Sequence, residues 1–83
     1  MVSREILIKF GQRVRQLRKE KNLSQEELSF KADLHRTYIG MIERAEKNIT
    51  LVNIEKIAKA LNVELRGVLL IRNAEISKKT GII

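Results

Sequence analysis

The chain has no cysteine, no proline and only one histidine, and each lack removes a class of explanation. Without thiols there is neither a disulfide nor a thiolate metal site to staple a small fold, so stability has to come from helix packing, with oligomerisation as a further source. His35 has no second ligand and makes no metal site, and no cofactor is expected. No apolar run approaches the roughly 20 residues that a membrane span requires. The first residues, MVSREILIKF, carry charge inside their apolar stretch rather than ahead of a signal-peptide core. The expectation is a soluble, cytoplasmic protein with no membrane partner. An enzyme is hard to build from what remains: there is no histidine–carboxylate pair at useful spacing, no phosphate loop, and too little chain in 83 residues to enclose a substrate pocket. One domain over residues 1–83 is expected, with its core at about 5–72 and a C-terminal tail at about 73–83.

What is present is helical periodicity almost throughout, with no alternating strand-like segment, which predicts an all-α fold of five helices. Ile6, Phe10, Val14 and Leu17 give a first helix, roughly Ser3 to Lys21, one apolar stripe and a basic opposite face, and Asn22 is its left-handed stop. After a loop, AEKNIT, Thr50 caps a fourth helix whose buried side is Leu51, Ile54, Ile57, Ala58 and Leu61, and Asn62 ends it. A fifth begins near Glu64. Its Leu65, Val68, Leu69 and Ile71 exceed what one small core needs, and an apolar surplus of this kind predicts a dimer interface at Leu65, Val68 and Leu69. The final ISKKTGII has no clear pattern.

Between these lies the most informative stretch, SQEELSFKADLHRTYIGMIE. Ser24 caps a helix beginning at Gln25, and Glu27, three residues beyond the cap, completes a capping box. Leu28 and Ala32 share the buried face, and Ser29 is small enough to let another helix pass closely. Asp33 and Leu34 make a tight turn, in which Asp takes the left-handed conformation less easily than Gly would. A further helix runs from about His35 to Arg44, with Ile39 and Ile42 inward and Arg36, Thr37, Tyr38, Gly40 and Met41 wholly or partly outward. Two short helices over 25–44 joined in this way are a helix-turn-helix, whose second helix enters a DNA major groove. Short helical hairpins also occur in bundles that bind no DNA. A net charge of +7, from 17 basic and 10 acidic residues, tips the balance toward a polyanionic partner.

With Gln25, Glu27, Leu28, Ala32, Ile39, Ile42 and Glu43 in this register, the chain from about Phe10 to Leu70 resembles the helix-turn-helix family of lambda-type repressor and Cro proteins. Within it, LHRTYIGMIERAEKNITLVNIEKIAKAL is most similar to the controller proteins of bacterial restriction–modification systems. The resemblance implies a homodimer that binds a double-stranded, pseudo-palindromic operator and regulates its own operon. RNA polymerase is a further partner implied by the same likeness, two dimers on neighbouring sites turning activation into repression as concentration rises. The resemblance also implies that Arg18 and Glu43 pair as a buried salt bridge between the first and third helices, and that Arg44, Lys47, Asn48 and Asn53 approach the DNA backbone, supplying salt-sensitive affinity.

Gln25, at a helix start, is expected to hydrogen-bond a phosphate. Arg36 is the first choice for base readout, because a guanidinium can bond guanine O6 and N7 together, and Thr37 can bond a base or offer its methyl to thymine. Tyr38 has three readings: a phosphate contact, a ring lying against a bendable pyrimidine–purine step, or a half-buried packing residue. His35 is either a phosphate contact or simply a helix-start residue, the second being favoured. The competing functions are an antitoxin or phage-type repressor with the same DNA chemistry, and a helical protein-interaction module whose basic face is incidental.

Overall fold

The computed structural model describes residues 4–69 as five α-helices in sequence: α1 (Arg4–Glu20), α2 (Gln25–Ala32), α3 (Arg36–Glu43), α4 (Leu51–Ala60) and α5 (Leu65–Leu69). Ile71 and the tail at 73–83 lie outside the described residues. No described helix is long and apolar enough to cross a membrane.

Helices α1 to α4 each end where the chain takes a left-handed residue. Asn22, Asp33, Ala45 and Asn62 all have φ between 57° and 60°. In each case the amide of the left-handed residue bonds the carbonyl three residues back, and the next amide reaches the carbonyl five back, as in Leu23 N to Arg18 O and Val63 N to Ala58 O, both 3.0 Å. These paired bonds satisfy carbonyls that a helix end would otherwise leave open. Leu23, Leu34 and Val63, each directly after its left-handed residue, then fold back onto the core. One local device, used four times, thus sets both helix length and the direction in which the chain leaves.

The core is the set of inward positions read from the periodicity. Phe10, Val14 and Leu17 of α1, Leu28 and Ala32 of α2, Ile39 and Ile42 of α3, and Ile54, Ile57, Ala58 and Leu61 around α4 form one cluster of buried side chains. Two expected members are missing. Ile6, near the start of α1, is 41% exposed and only borders an open groove beside Ile49 and Ile54, and Leu51, the first residue of α4, is 72% exposed. Val68 differs in the other direction. It is fully enclosed in the same cluster, so it packs within its own subunit and cannot meet a partner. The short α5 turns Val68 inward and leaves Leu65 and Leu69, four residues apart, about two-fifths exposed.

Packing of α1 against α3 depends on Gly11. A Cβ there would stand 2.5 Å from the Ile42 carbonyl oxygen and 2.8 Å from that of Glu43. Both are backbone atoms and cannot swing aside, so the helices reach this separation only with glycine between them.

Candidate nucleic-acid interface

Helices α2 and α3 and their turn form the expected helix-turn-helix. Ser24 Oγ accepts from Glu27 N at 2.9 Å while Ser24 N donates to Glu27 Oε1 at 2.8 Å, a complete capping box. Ser29 is buried, its hydroxyl satisfied by donating to Glu26 O at 2.7 Å. Asp33 holds the turn at φ 57°, ψ 47°.

Glu43 lies at the centre of the site's support. Its carboxylate accepts from Arg18 Nε at 2.7 Å and Nη2 at 3.0 Å, with both side chains nearly sealed from solvent. Arg18 Nη1 also donates to Leu23 O at 2.9 Å. The hydrogen bond to Glu43 raises the Arg18 pKa above its ordinary value against the opposing effect of burial. The same carboxylate accepts from Gln25 Nε2 at 3.1 Å. Gln25, half-buried at the start of α2, is therefore anchored to α3 rather than free. Gly40 is buried beside this junction, where an added Cβ would come 3.5 Å from Gln25 Oε1 and 3.1 Å from Arg44 Nη1.

Two of the exposed cations, Arg36 and Arg44, are paired with carboxylates. His35 is the N-cap of α3 without a side-chain capping bond, a helix-start residue standing in solvent. Arg36 and Thr37 are exposed in the first turn of α3. The Arg36 guanidinium lies 3.3 Å from Glu26 on α2, with both side chains more than three-fifths exposed. Pairs as exposed as this contribute about 0–1 kcal/mol, so Arg36 can exchange its partner for a base at little cost. Arg44, the C-cap of α3, is held at 3.0 and 3.1 Å by Glu46. That hydrogen bond lowers the Glu46 pKa and raises that of Arg44. Lys47 and Asn48 are exposed in the loop before α4. Tyr38 is half-buried and its hydroxyl accepts from Asn53 Nδ2 at 2.9 Å, joining α3 to α4.

Sequence reasoning missed the carboxylates that hold these cations, Glu26 and Glu46, and the anchoring of Gln25 and Tyr38. Glu26 meets Arg36 across a turn and Tyr38 meets Asn53 across a loop, separations that no helical period marks. Ala45 and Gly11 were missed as well. An alanine gives no sign that it will turn left-handed, and only the position of α3 shows why residue 11 has no side chain.

The helix-turn-helix family description matches residues 14–68, from the middle of α1 into α5. The chain belongs to this helix-turn-helix family. Among its helix-turn-helix relatives, the control protein C.BamHI of Bacillus amyloliquefaciens is 54% identical over 69 residues, covering 82% of this chain and 85% of that protein. The control protein C.MunI of Mycoplasma sp is 47% identical over 62 residues, covering 74% and 84%. The crystal structure of the restriction–modification controller protein C.AhdI from Aeromonas hydrophila superposes with a TM-score of 0.74 at 53% identity, covering 75% of this chain and 94% of that one. The all-helical fold is thus that of a helix-turn-helix controller.

Proposed function

We propose that this chain is a sequence-specific transcriptional regulator, the controller of a restriction–modification system, which binds a pseudo-palindromic operator as a homodimer and regulates its own operon in the cytoplasm without catalysing a reaction. The observation that carries the reading is the likeness to control proteins across four-fifths of the chain, joined to an α3 whose first turn offers Arg36 and Thr37 to solvent. In this reading α3 enters the major groove, Arg36 and Thr37 meet base edges, and Gln25, Arg44, Lys47 and Asn48 meet the backbone.

Leu65 and Leu69 on α5 are the residues that join the subunits. Leu69 also borders an apolar groove of about 240 Å³ lined by Ile6, Leu7, Phe10, Asn48, Ile49 and Ile54, and the exposed part of Ile6 adds to the same surface. A two-fold dimer through this region presents two copies of α3 about 34 Å apart, one per half-site. RNA polymerase is the partner through which a first dimer activates, before a second represses.

Selection of bound sequences from a random duplex pool tests the proposal. An enriched inverted repeat bound by two chains is the expected result; a pool that stays random after repeated rounds contradicts it. Promoter output measured across protein concentration then tests the switch, which predicts a rise before a fall. A monotonic fall removes the activating half.

A further inference from the structure

Tyr38 is the only tyrosine in the chain. A phenol has one proton to give and two lone pairs to receive with. Because Asn53 donates to Tyr38 Oη at 2.9 Å, one lone pair is taken and the phenolic proton is turned away from Asn53. No acceptor for that proton is found among the described residues. Asn53 is itself fixed without using its side chain, since its backbone amide donates to the Thr50 hydroxyl at 3.1 Å and so locks the first turn of α4. Its backbone is thereby held in place beside α3, from which the side-chain amide reaches Tyr38.

We propose that Asn53 is a positioning residue: it sets the Tyr38 hydroxyl as a hydrogen-bond donor aimed at a DNA backbone phosphate, and acts on DNA through Tyr38 rather than by touching it. The inference rests on the DNA-binding reading above. Phosphate is the fitting ligand because its oxygens only accept, whereas an unanchored tyrosine hydroxyl would be divided between donating and accepting orientations. The neighbouring groups on the same helix, Arg36 and Thr37, and the overall charge of +7 suit the same polyanion. This replaces the direct backbone contact expected of Asn53 with an indirect one. It also decides among the three readings of Tyr38 in favour of a half-buried ring that keeps a polar task at its rim.

The test is a two-by-two comparison of wild type, Tyr38→Phe, Asn53→Ala and the double variant, titrated by fluorescence anisotropy against the selected operator duplex, with thermal unfolding of each protein measured alongside. Tyr38→Phe is expected to weaken binding about fivefold, the net worth of one hydrogen bond. Asn53→Ala should weaken it two- to fivefold, and the double variant should bind no more weakly than Tyr38→Phe alone. Melting curves that coincide keep the losses from being ascribed to folding. Ring signals of the single tyrosine, followed by NMR, should move on operator addition in wild type and move less in Asn53→Ala. If the two losses multiply, or if Asn53→Ala binds as wild type does, the positioning role is overturned while DNA binding stands. If wild type itself shows no preference for any duplex, both are overturned.

Discussion

Glu43 accepts hydrogen bonds from Arg18 and from Gln25 at the same time, so one buried carboxylate joins α1, the start of α2 and α3. The arrangement makes Glu43 a structural residue with a consequence for binding. Removing either charge strands the other in a nearly water-free site.

Arg18→Ala and Glu43→Ala are each predicted to destabilise the fold by about 3–5 kcal/mol, because an unpaired buried charge is far more costly than the pair is stabilising. Urea unfolding of the two variants measures this. Replacing both residues together with apolar ones of similar volume should cost much less than the two single losses added. Additive losses would show that the pair is not coupled.

Gly11→Ala is predicted to destabilise by about 1–3 kcal/mol or more, because its methyl would meet two backbone carbonyls. Thermal unfolding by circular dichroism is the measurement. A stabilised variant, as expected from helix propensity alone, would mean that α1 and α3 lie further apart than described.

Arg36→Ala and Lys47→Ala should fail in different ways. The first is predicted to cost about 1–3 kcal/mol and to relax preference at one operator position, whereas the second should weaken binding to all duplexes and reduce the salt slope by about one phosphate contact. Titrations of selected and random duplexes at several salt concentrations separate them. Equal losses by both variants on both duplexes would refute the division of roles.

The Arg44–Glu46 pair predicts a dependence on acidity with a definite sign. Glu46 has its pKa lowered below the ordinary 4.5 by the hydrogen bond from Arg44. Its stabilising contribution is therefore present above about pH 4.5 and is lost as pH falls through the lowered value. The stability difference between wild type and Glu46→Gln should shrink as pH falls through that range, and salt should reduce it because the pair is exposed. A difference that grows on acidification contradicts the assignment.

Val68→Ala and Leu69→Lys should separate folding from assembly. Val68 is fully enclosed, and its truncation is predicted to cost roughly 2 kcal/mol of stability. Leu69 is 43% exposed, and a charge there should leave the helical signal intact while sedimentation shows a shift to monomer. Unchanged sedimentation in Leu69→Lys removes α5 from the subunit contact.

Much of this architecture was legible because it is local. Ser24 with Glu27, Thr50 as a cap, and Asn22, Asp33 and Asn62 as stops are decided by a few neighbouring residues, and the inward spacing of Phe10, Val14 and Leu17 follows from one helical period. Contacts between distant segments were not legible. Nothing at Leu51 or Val68 distinguishes a residue that the fold exposes from one that it encloses, since the answer depends on where other helices lie. The site divides in the same manner: Arg36 and Thr37 are visible as outward positions of a short helix, whereas Glu26, Glu46 and the Asn53 amide take their roles only once the fold sets them against Arg36, Arg44 and Tyr38. The Arg18–Glu43 pair, 25 residues apart, was reached through resemblance and not through spacing.

The measurement that bears most directly on the central claim is the ratio of affinities for the selected inverted repeat and for a random duplex at physiological salt, with stoichiometry determined in the same titration. Two chains per repeat and a ratio of about a thousandfold or more are predicted. A ratio near one, with binding that vanishes as salt rises, would contradict a sequence-specific regulator and leave only a basic helical module.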